Sequence, residues 1–289
     1  MSKVWLITGA SRGMGLEITR SLLEAGHRVV ATARRPDAIK EALGADNENL
    51  LALALDVTDP AQGEAAASAA VAQFGRIDVL VNNAGYGQLG WFENLSEEQI
   101  QRQFDTNVFG AMHVTRAVLP YMRKQKAGHV FTVTSVAGLI AVAGSSIYGA
   151  SKFAVEGWME GLHQELAPLG IATTAIEPGF FKTDFLDSSS VSYGEKDIEE
   201  YAEASARFKA FHDEMNHQQL GDPAKLGLLL MKLAEMKETP VRLAAGSDAA
   251  EWVIKKGDSL REEATKWQEY SSSTDRDGAR KADSLPSNV

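Results

Sequence analysis

The chain has 289 residues and a formal net charge of −10, with 29 basic and 39 acidic side chains and no cysteine. Hydrophobic residues make up 44% of the chain, which suits a packed globular core and excludes disorder of the whole chain. So acidic a chain has no basic stripe of the kind that binds nucleic acid, and without cysteine it forms neither disulfides nor thiolate zinc sites. We therefore expect no nucleic-acid partner.

The amino terminus carries no pattern of a targeting segment. Met1, Ser2 and Lys3 run directly into a short apolar run that ends at a glycine, which is too short for the core of a signal peptide or for a membrane span. We expect a cytoplasmic protein with no membrane partner.

Apolar runs of strand length alternate with amphipathic stretches of helix length. The predicted strands are residues 4–7, 28–33, 50–55, 77–81, 129–133, 171–176 and 241–245. The predicted helices are residues 16–23, 60–74, 96–126, 147–166 and 223–236. This alternation predicts an α/β protein with a doubly wound Rossmann fold, in which a parallel seven-stranded sheet carries helices on both faces.

Three helix starts are marked by local capping signals. Asp59 and Asp222 each precede a proline, an order that places a capping carboxylate ahead of a residue with no N–H to satisfy. Ser96 is followed three residues later by Gln99, which predicts a capping box.

Two regions break the alternating pattern. Residues 181–220 form a long, aromatic-rich insertion, and residues 271–289 are rich in Ser, Asp and Arg with almost no large apolar side chain. We expect a single catalytic domain over residues 1–270, in which 181–220 is a lid over the substrate, and a flexible carboxy-terminal tail over 271–289.

A glycine-rich turn follows the first predicted strand, where residues 8–15 read Thr-Gly-Ala-Ser-Arg-Gly-Met-Gly. Glycine lets the backbone approach a pyrophosphate closely, and the N–H groups at the start of the next helix favour an anion. The spacing Gly-x-x-x-Gly-x-Gly differs from the Gly-x-Gly-x-x-Gly of most dinucleotide-binding folds. The alternative is a tight connection without a ligand.

The residues after the second predicted strand indicate which dinucleotide binds. An NAD enzyme places an acidic residue there, on the ribose 2′-hydroxyl, whereas this chain has Arg34 and Arg35. An arginine there can pair with a 2′-phosphate while Arg12 closes over it; solvated charges at the strand end are the alternative. Asp56 can accept a hydrogen bond from the adenine amino group or cap the next helix. The pattern predicts NADP(H).

Further motifs follow in order: Asn82-Asn83-Ala84-Gly85, Asn107, Ser135 and Tyr148-x-x-x-Lys152. With the glycine-rich turn, they resemble the short-chain dehydrogenase/reductase family, from about Lys3 to Thr183 and more loosely to the strand at 241–245. The resemblance implies an NADP-dependent oxidoreductase that acts on CH–OH and C=O groups.

The resemblance and the residues together predict the site. The catalytic residues are Asn107, Ser135, Tyr148 and Lys152. The cofactor-binding residues are Gly9, Ser11, Arg12, Gly13, Met14, Gly15, Arg34, Arg35, Asp56, Val57, Asn83, Ala84, Gly85, Tyr148, Lys152, Pro178, Gly179 and Thr183. By resemblance, Asn107 holds a water that links Lys152 to solvent; a residue that kinks its helix is the alternative.

Tyr148 and Lys152 carry the predicted chemistry. They lie one helical turn apart, so both side chains can meet one substrate atom. The pKa of a free tyrosine is near ~10, and we expect the Lys152 ammonium and an oxidised nicotinamide to lower it. Tyr148 would then exchange a proton with a carbonyl oxygen that Ser135 polarises through a hydrogen bond.

The predicted substrate is a hydrophobic ketone, aldehyde or secondary alcohol. Residues 138–147 are small and apolar, and with Trp91, Phe92 and the insertion they suggest a greasy pocket. The alternative is that the aromatic residues only pack the insertion onto the rest of the chain.

Two other functions remain open: a non-enzymatic NADPH-binding regulator, and an epimerase or dehydratase of the extended branch of the family. By resemblance we expect a homodimer or homotetramer formed through helices at 97–123 and 151–168. His212 and His217 are five residues apart, a poor spacing for a helical metal pair, and we predict no metal.

Overall fold

The computed structural model describes residues 2–44, 47–187 and 190–279. The strands of its main sheet are β1 (Val4–Thr8), β2 (Arg28–Ala33), β3 (Leu50–Ala54), β4 (Val79–Asn82), β6 (Gly128–Val133), β7 (Ile171–Pro178) and β9 (Arg242–Ala245), with the short strands β5 (Gly87–Leu89) and β8 (Val191–Tyr193) outside it. The bounds of the main-sheet strands differ from those predicted by at most two residues.

Within the described residues, seven parallel strands form the main sheet in the order β3-β2-β1-β4-β6-β7-β9. The chain moves outward from β1 to β3 and then returns to place β4 on the other side of β1. In such sheets, ligands bind where the strand order reverses, beyond the carboxyl ends of the strands. The predicted doubly wound Rossmann architecture is confirmed, and it points to the crevice between β1 and β4.

The helices are α1 (Gly13–Glu24), α2 (Asp37–Leu43), α3 (Pro60–Phe74), α4 (Glu97–Phe104), α5 (Gly110–Gln125), α6 (Ser146–Leu166), α7 (Ala202–Met215), α8 (Pro223–Glu235), α9 (Ser247–Lys266) and α10 (Gln268–Ser272). The helices α2, α7, α9 and α10 were not predicted from the sequence. Of these, α9 is the longest, with 20 residues.

Both faces of the sheet are covered by apolar side chains. In β1, Leu6 belongs to the core on one face, whereas Trp5 and Ile7 belong to the core on the other. Successive side chains of a strand point to opposite faces, and every residue of β1 is buried. This explains why the strands show no alternation of apolar and polar residues.

The predicted helix at 96–126 is present over residues 97–125, with one π-helical turn inside it. The structure has α4, a π-helical turn over Asp105–Phe109, and α5. A π turn holds one more residue than an α turn and commonly marks a functional site. Here Asn107 lies in the turn, and its side chain bonds to the backbone of Tyr86 on a neighbouring segment.

The capping predictions are confirmed. Asp59 accepts a hydrogen bond from the N–H of Ala61 at 2.9 Å, and Asp222 accepts one from Ala224 at 2.9 Å. Ser96 and Gln99 form the reciprocal bonds of a capping box.

The 181–220 insertion has its own secondary structure. It contains β8 and α7, and β8 pairs in parallel with β5. That pairing fastens the insertion to the segment after β4, and its role as a lid stays a prediction. In the predicted tail, residues 271–279 are exposed, while 280–289 lie outside the described residues. No helix within the described ranges has both the length and the apolar character needed to span a bilayer.

Candidate active site

The glycine-rich turn leaves the carboxyl end of β1 and enters α1. Gly9 and Gly13 have φ angles of +67° and +53°, a region that side chains other than glycine enter at a cost. Arg12 is the extended residue that precedes the first turn of α1. The turn therefore presents the N–H groups of the α1 start to the crevice, which is the arrangement that binds phosphate.

Gly15 has a packing role, and its contact with the cofactor stays a prediction. A Cβ at this position would lie 2.4 Å from the carbonyl oxygen of Gly9 and 2.5 Å from Nδ2 of Asn83. Gly15 is buried, and it does not line the cavity described below. It allows α1 to pack closely against the turn that the cofactor would touch.

Hydrogen bonds join the segment after β4 to the end of β1. The Thr8 hydroxyl accepts from the N–H groups of Asn83 and Ala84, both at 3.0 Å. Nδ2 of Asn83 donates to the carbonyl oxygens of Thr8 and Gly9, at 3.0 and 3.1 Å. Asn83 is thus a structural brace as well as part of the crevice wall.

The crevice between β1 and β4 opens into a cavity of about 900 Å³. Predicted cofactor residues supply much of its lining: Gly9, Ser11, Arg12, Gly13, Met14, Arg34, Arg35, Asp56, Val57, Asn83, Ala84, Gly85, Tyr148, Lys152 and Thr183. Arg34 and Arg35 follow β2 and are exposed. The arginines and the glycine-rich turn line the same cavity, which is the arrangement that a dinucleotide with a 2′-phosphate would need.

Asp56 does not cap α3, because Asp59 does. Oδ1 of Asp56 accepts hydrogen bonds from the N–H and the hydroxyl of Thr58, at 3.0 and 2.7 Å. Both residues line the cavity. The structure thus removes the capping alternative and leaves Asp56 at the crevice, oriented by Thr58.

Tyr148 and Lys152 lie on one face of α6, as their spacing predicts. Nζ of Lys152 lies 5.8 Å from the centre of the Tyr148 ring, and it donates a hydrogen bond to the carbonyl oxygen of Val133 at 3.0 Å. Oγ of Ser135 accepts from the N–H of Ala137 at 3.1 Å, so its own proton can be donated. The three side chains come together beyond the carboxyl end of β6.

The sequence predicts a lowered pKa for Tyr148, but in the protein without a cofactor this pKa is raised. Burial raises the pKa of Tyr148 to about 12, with the hydrogen bond from Ser135 opposing the change. Burial lowers the pKa of Lys152 to about 8, while the carboxylate of Glu156 opposes that change. Desolvation outweighs the hydrogen bond at Tyr148 and the charge interaction at Lys152.

Asn107 is buried and does not line the cavity. Its Nδ2 donates to the carbonyl oxygen of Tyr86 at 3.0 Å and to the Ser151 hydroxyl at 3.4 Å, and its Oδ1 accepts from the N–H of Tyr86 at 3.1 Å. Asn107 therefore fastens the π turn to the segment next to Gly85 and to α6. Asn107 lies in the π-helical turn of this helix; its water-holding role stays a prediction.

A second cavity, of about 650 Å³, adjoins the catalytic side chains. Its walls contain Ser135, Tyr148 and four aromatic residues of the insertion: Phe181, Phe185, Phe208 and Phe211. Pro178 and Gly179 line this cavity, and Thr183 lines both. The greasy pocket predicted from the sequence is present, and Tyr148 lies where the cavities meet.

Trp91 and Phe92 are outside this apolar cavity, contrary to prediction. Trp91 stacks on Tyr201 with ring centres 5.6 Å apart, and Phe92 is 61% exposed. The alternative that aromatic residues pack the insertion onto the rest of the chain thus holds for Tyr201, whereas Phe208 faces the cavity.

Gly179 permits a close approach between the strand end and α9. A Cβ on Gly179 would lie 2.3 Å from Oδ2 of Asp248, which accepts from the N–H of Phe180 at 2.9 Å. This contact positions α9 beside the apolar cavity. Four residues of the cavity wall were not predicted from the sequence: Trp252, Lys255 and Lys256 on α9, and Gln219.

Two buried glutamates, Glu156 and Glu177, interact with each other, and Glu156 also interacts with Lys152. Glu156, one turn further along α6, pairs with Nε of Arg242 at 3.1 Å. Glu177 on β7 is 1% exposed, and burial, together with the charge of Glu156, raises the pKa of Glu177 to about 7. The negative charge of Glu156 favours the ammonium form of Lys152.

Known proteins with similar sequences are oxidoreductases. An oxidoreductase of Botryotinia fuckeliana is 37% identical over 276 residues, covering 94% of this chain and 98% of its own. A 3-ketodihydrosphingosine reductase of Bacteroides thetaiotaomicron is 36% identical, covering 84% and 88%.

Solved structures agree. A short-chain dehydrogenase from Streptomyces avermitilis superposes with a TM-score of 0.86 at 38% identity, covering 96% of this chain and all of its own. ElxO with NADP bound has a TM-score of 0.69 at 26% identity over 84% and 96% of the two chains. A Burkholderia phymatum short-chain dehydrogenase/reductase in complex with NAD reaches 0.76 at 26% identity over 98% of each chain.

The family model described as short chain dehydrogenase matches residues 3–193. That range contains the glycine-rich turn, Asn107, Ser135 and the Tyr148–Lys152 pair, which the structure gathers at one end of the sheet. The chain is an oxidoreductase of the short-chain dehydrogenase/reductase family.

Proposed function

We propose that the protein is an NADPH-dependent reductase of hydrophobic ketones or aldehydes, which also oxidises hydrophobic secondary alcohols to ketones. The observation that carries the proposal is the position of Tyr148, which lines both the cavity of about 900 Å³ and the apolar cavity of about 650 Å³. A cofactor in the first and a substrate in the second would meet at this side chain.

The first cavity fits a nicotinamide dinucleotide. Its volume of about 900 Å³ lies at the upper end of the range for small-molecule sites, and the glycine-rich turn leaves room for phosphate groups close to the backbone. When bound, the nicotinamide supplies the hydride.

The proton comes from the protein's own residues. With a pKa of about 12, Tyr148 is protonated at neutral pH, which is the form that donates to a carbonyl oxygen. Ser135 donates a hydrogen bond to the same oxygen and stabilises its growing charge. The Lys152 ammonium, 5.8 Å from the ring centre, then stabilises the phenolate that Tyr148 becomes. A proton from water restores the phenol.

The reaction is tested by replacing Tyr148 with Phe. Loss of the general acid should lower turnover of a ketone by about 10² to 10⁴, while the affinity for NADPH, measured by quenching of tryptophan fluorescence, changes little. Tyr270→Phe, on an exposed residue outside both cavities, is the matched control. Undiminished turnover by Tyr148→Phe would refute the proposal.

We propose NADPH as the preferred cofactor because Arg12, Arg34 and Arg35 line the cavity and β2 ends without an acidic residue. Replacing Arg34 and Arg35 together by Ala should reduce kcat/KM for NADPH at least about tenfold, since each lost charged bond is worth about 1.5–3 kcal/mol. The value for NADH should change little. Equal losses for both cofactors would remove the basis for the preference.

We propose a hydrophobic substrate because the second cavity is walled by Phe181, Phe185, Phe208 and Phe211. The relative named as a 3-ketodihydrosphingosine reductase supports the class, since its name states that it reduces a keto group. A panel of ketones, aldehydes and secondary alcohols of increasing length, followed by NADPH absorbance, tests it. Activity restricted to small polar carbonyl compounds would contradict it.

We also propose a homodimer or homotetramer. Phe109, in the π turn, is 45% exposed, and Phe153, on α6, is 42% exposed, in the two helical segments predicted to pair subunits. Light scattering on the purified protein should give a mass at least twice 31.2 kDa; a mass equal to one chain would refute this.

A further inference from the structure

The end of the apolar cavity formed by α9 has an unusual composition. Trp252, Lys255 and Lys256 all line the cavity, and their spacing of three and four residues places them on one face of the helix. In the insertion, α7 lines the cavity with Phe208, Phe211 and His212, which have the same spacing along their helix. The lining of this cavity thus combines the catalytic side chains, aromatic walls and a pair of lysines.

The charge of this cavity is opposite to that of the whole chain. The chain carries a net charge of −10, yet none of the described residues that line the apolar cavity is Asp or Glu. His212 donates through Nδ1 to the carbonyl oxygen of Phe208 at 2.9 Å, and burial lowers its pKa, which favours its neutral form. The positive charge therefore comes from the two lysines.

The two lysines differ in their partners. Lys255 forms an ion pair with Glu251, one turn earlier on α9. Lys256 is half-buried, and across the described residues it has no acidic partner within ion-pair distance. A lysine whose stem lines an apolar wall can extend along that wall and keep its ammonium at the cavity end. Lys256 thus offers one full positive charge to a molecule in the cavity.

Gln219 gives an independent sign that a ligand with a polar group fits here. It lines the cavity and is 7% exposed, and neither Oε1 nor Nε2 has a hydrogen-bond partner among the described residues. A buried amide without partners costs about 1–3 kcal/mol for each unmet group. A carboxylate could accept from its Nε2.

We infer that the substrate is an oxo acid: a carbonyl compound with an apolar body and a carboxylate at its far end, held by Lys256. This inference rests on the proposed function for the carbonyl end and adds the recognition of the other end. A monoanion matches the site because Lys255 already shares its charge with Glu251, leaving Lys256 to neutralise one negative charge.

Turnover of a matched substrate pair tests the inference. One substrate is a medium-chain fatty acid with a keto group on its penultimate carbon, and the other is its methyl ester. We expect the wild type to have a higher kcat/KM for the acid. Lys256→Met should lower kcat/KM for the acid at least about tenfold and leave the ester nearly unchanged.

The control variants distinguish an effect of the Lys256 charge from an effect of the substitution on folding. Lys256→Arg should retain most of the preference for the acid, whereas Lys256→Glu should favour the ester. Lys266→Met, on the same helix but outside the cavity, should behave as the wild type. Equal effects of Lys256→Met on the acid and the ester, or a wild-type preference for the ester, would overturn the inference.

A binding measurement keeps this inference separate from the proposed function. Calorimetry should show that a saturated medium-chain fatty acid binds the wild type at least about tenfold more tightly than it binds Lys256→Met, while the corresponding alcohol binds both equally. If neither keto substrate is reduced but this difference is found, the proposed reaction fails and the anion site stands. If reduction occurs without this difference, the anion site fails alone.

Discussion

Replacing Glu177 by Gln should make the protein more stable at alkaline pH than the wild type. Glu177 is 1% exposed on β7, its Oε1 has no hydrogen-bond partner among the described residues, and its pKa is raised from 4.5 to about 7. The first cause is burial, and the second is the charge of Glu156; Arg242 opposes both. Glutamine keeps the shape of the protonated acid and cannot ionise.

The sign follows from the two pKa values. Below pH 4.5 the side chain is protonated in both the folded and the unfolded chain. Between pH 4.5 and about 7 the unfolded chain loses the proton while the folded protein keeps it, so the free energy of unfolding falls as pH rises. Above about pH 7 the difference is constant. A shift of about 2.5 units at about 1.4 kcal/mol each amounts to about 3 kcal/mol.

Urea unfolding followed by tryptophan fluorescence at several pH values between about 5 and 8 measures this effect. The stability difference between Glu177→Gln and the wild type should grow with pH by up to about 3 kcal/mol. Glu160→Gln is the matched control, because Glu160 pairs with the same arginine but is exposed, and its loss should cost less than about 1 kcal/mol. A Glu177→Gln difference that does not vary with pH would refute the reasoning.

Three further predictions follow from the packing. Gly15→Ala should destabilise the protein by about 1–3 kcal/mol in urea, because its Cβ would lie 2.4 Å from a carbonyl oxygen; Gly157→Ala, with nothing within 4 Å, should be neutral or stabilising. Asp59→Ala should lower the free energy of unfolding by about 1 kcal/mol through loss of its cap, and an unchanged urea midpoint would contradict this. If the insertion is a lid, Phe208→Ala should raise KM for bulky ketones more than for small ones; equal increases would reject that role.

Much of the fold could be predicted from local pattern. The five inner strands of the main sheet carry apolar runs that are buried on both faces, and Asp59, Ser96 and Asp222 mark helix starts through bonds within a few residues. Such signals survive in a sequence because both partners are close along the chain. By contrast, α9 has a mostly polar surface and no capping signal, and it was missed.

The core of the candidate site was likewise visible in the sequence. Tyr148 and Lys152 share a helix face because four residues make about one turn. The residues at the ends of β1 and β6 meet because parallel strands end at one edge. The sequence thus determined the family and the side chains that can exchange a proton.

Only the tertiary structure decided how those side chains are tuned and what surrounds them. The direction of the Tyr148 pKa depends on burial by segments distant in the chain. Gly15 packs against Asn83, which is distant in the chain, and Lys256 reaches the apolar cavity because Gly179 leaves room for Asp248 of α9. These contacts join residues that no local pattern connects, because packing, not spacing, brings them together.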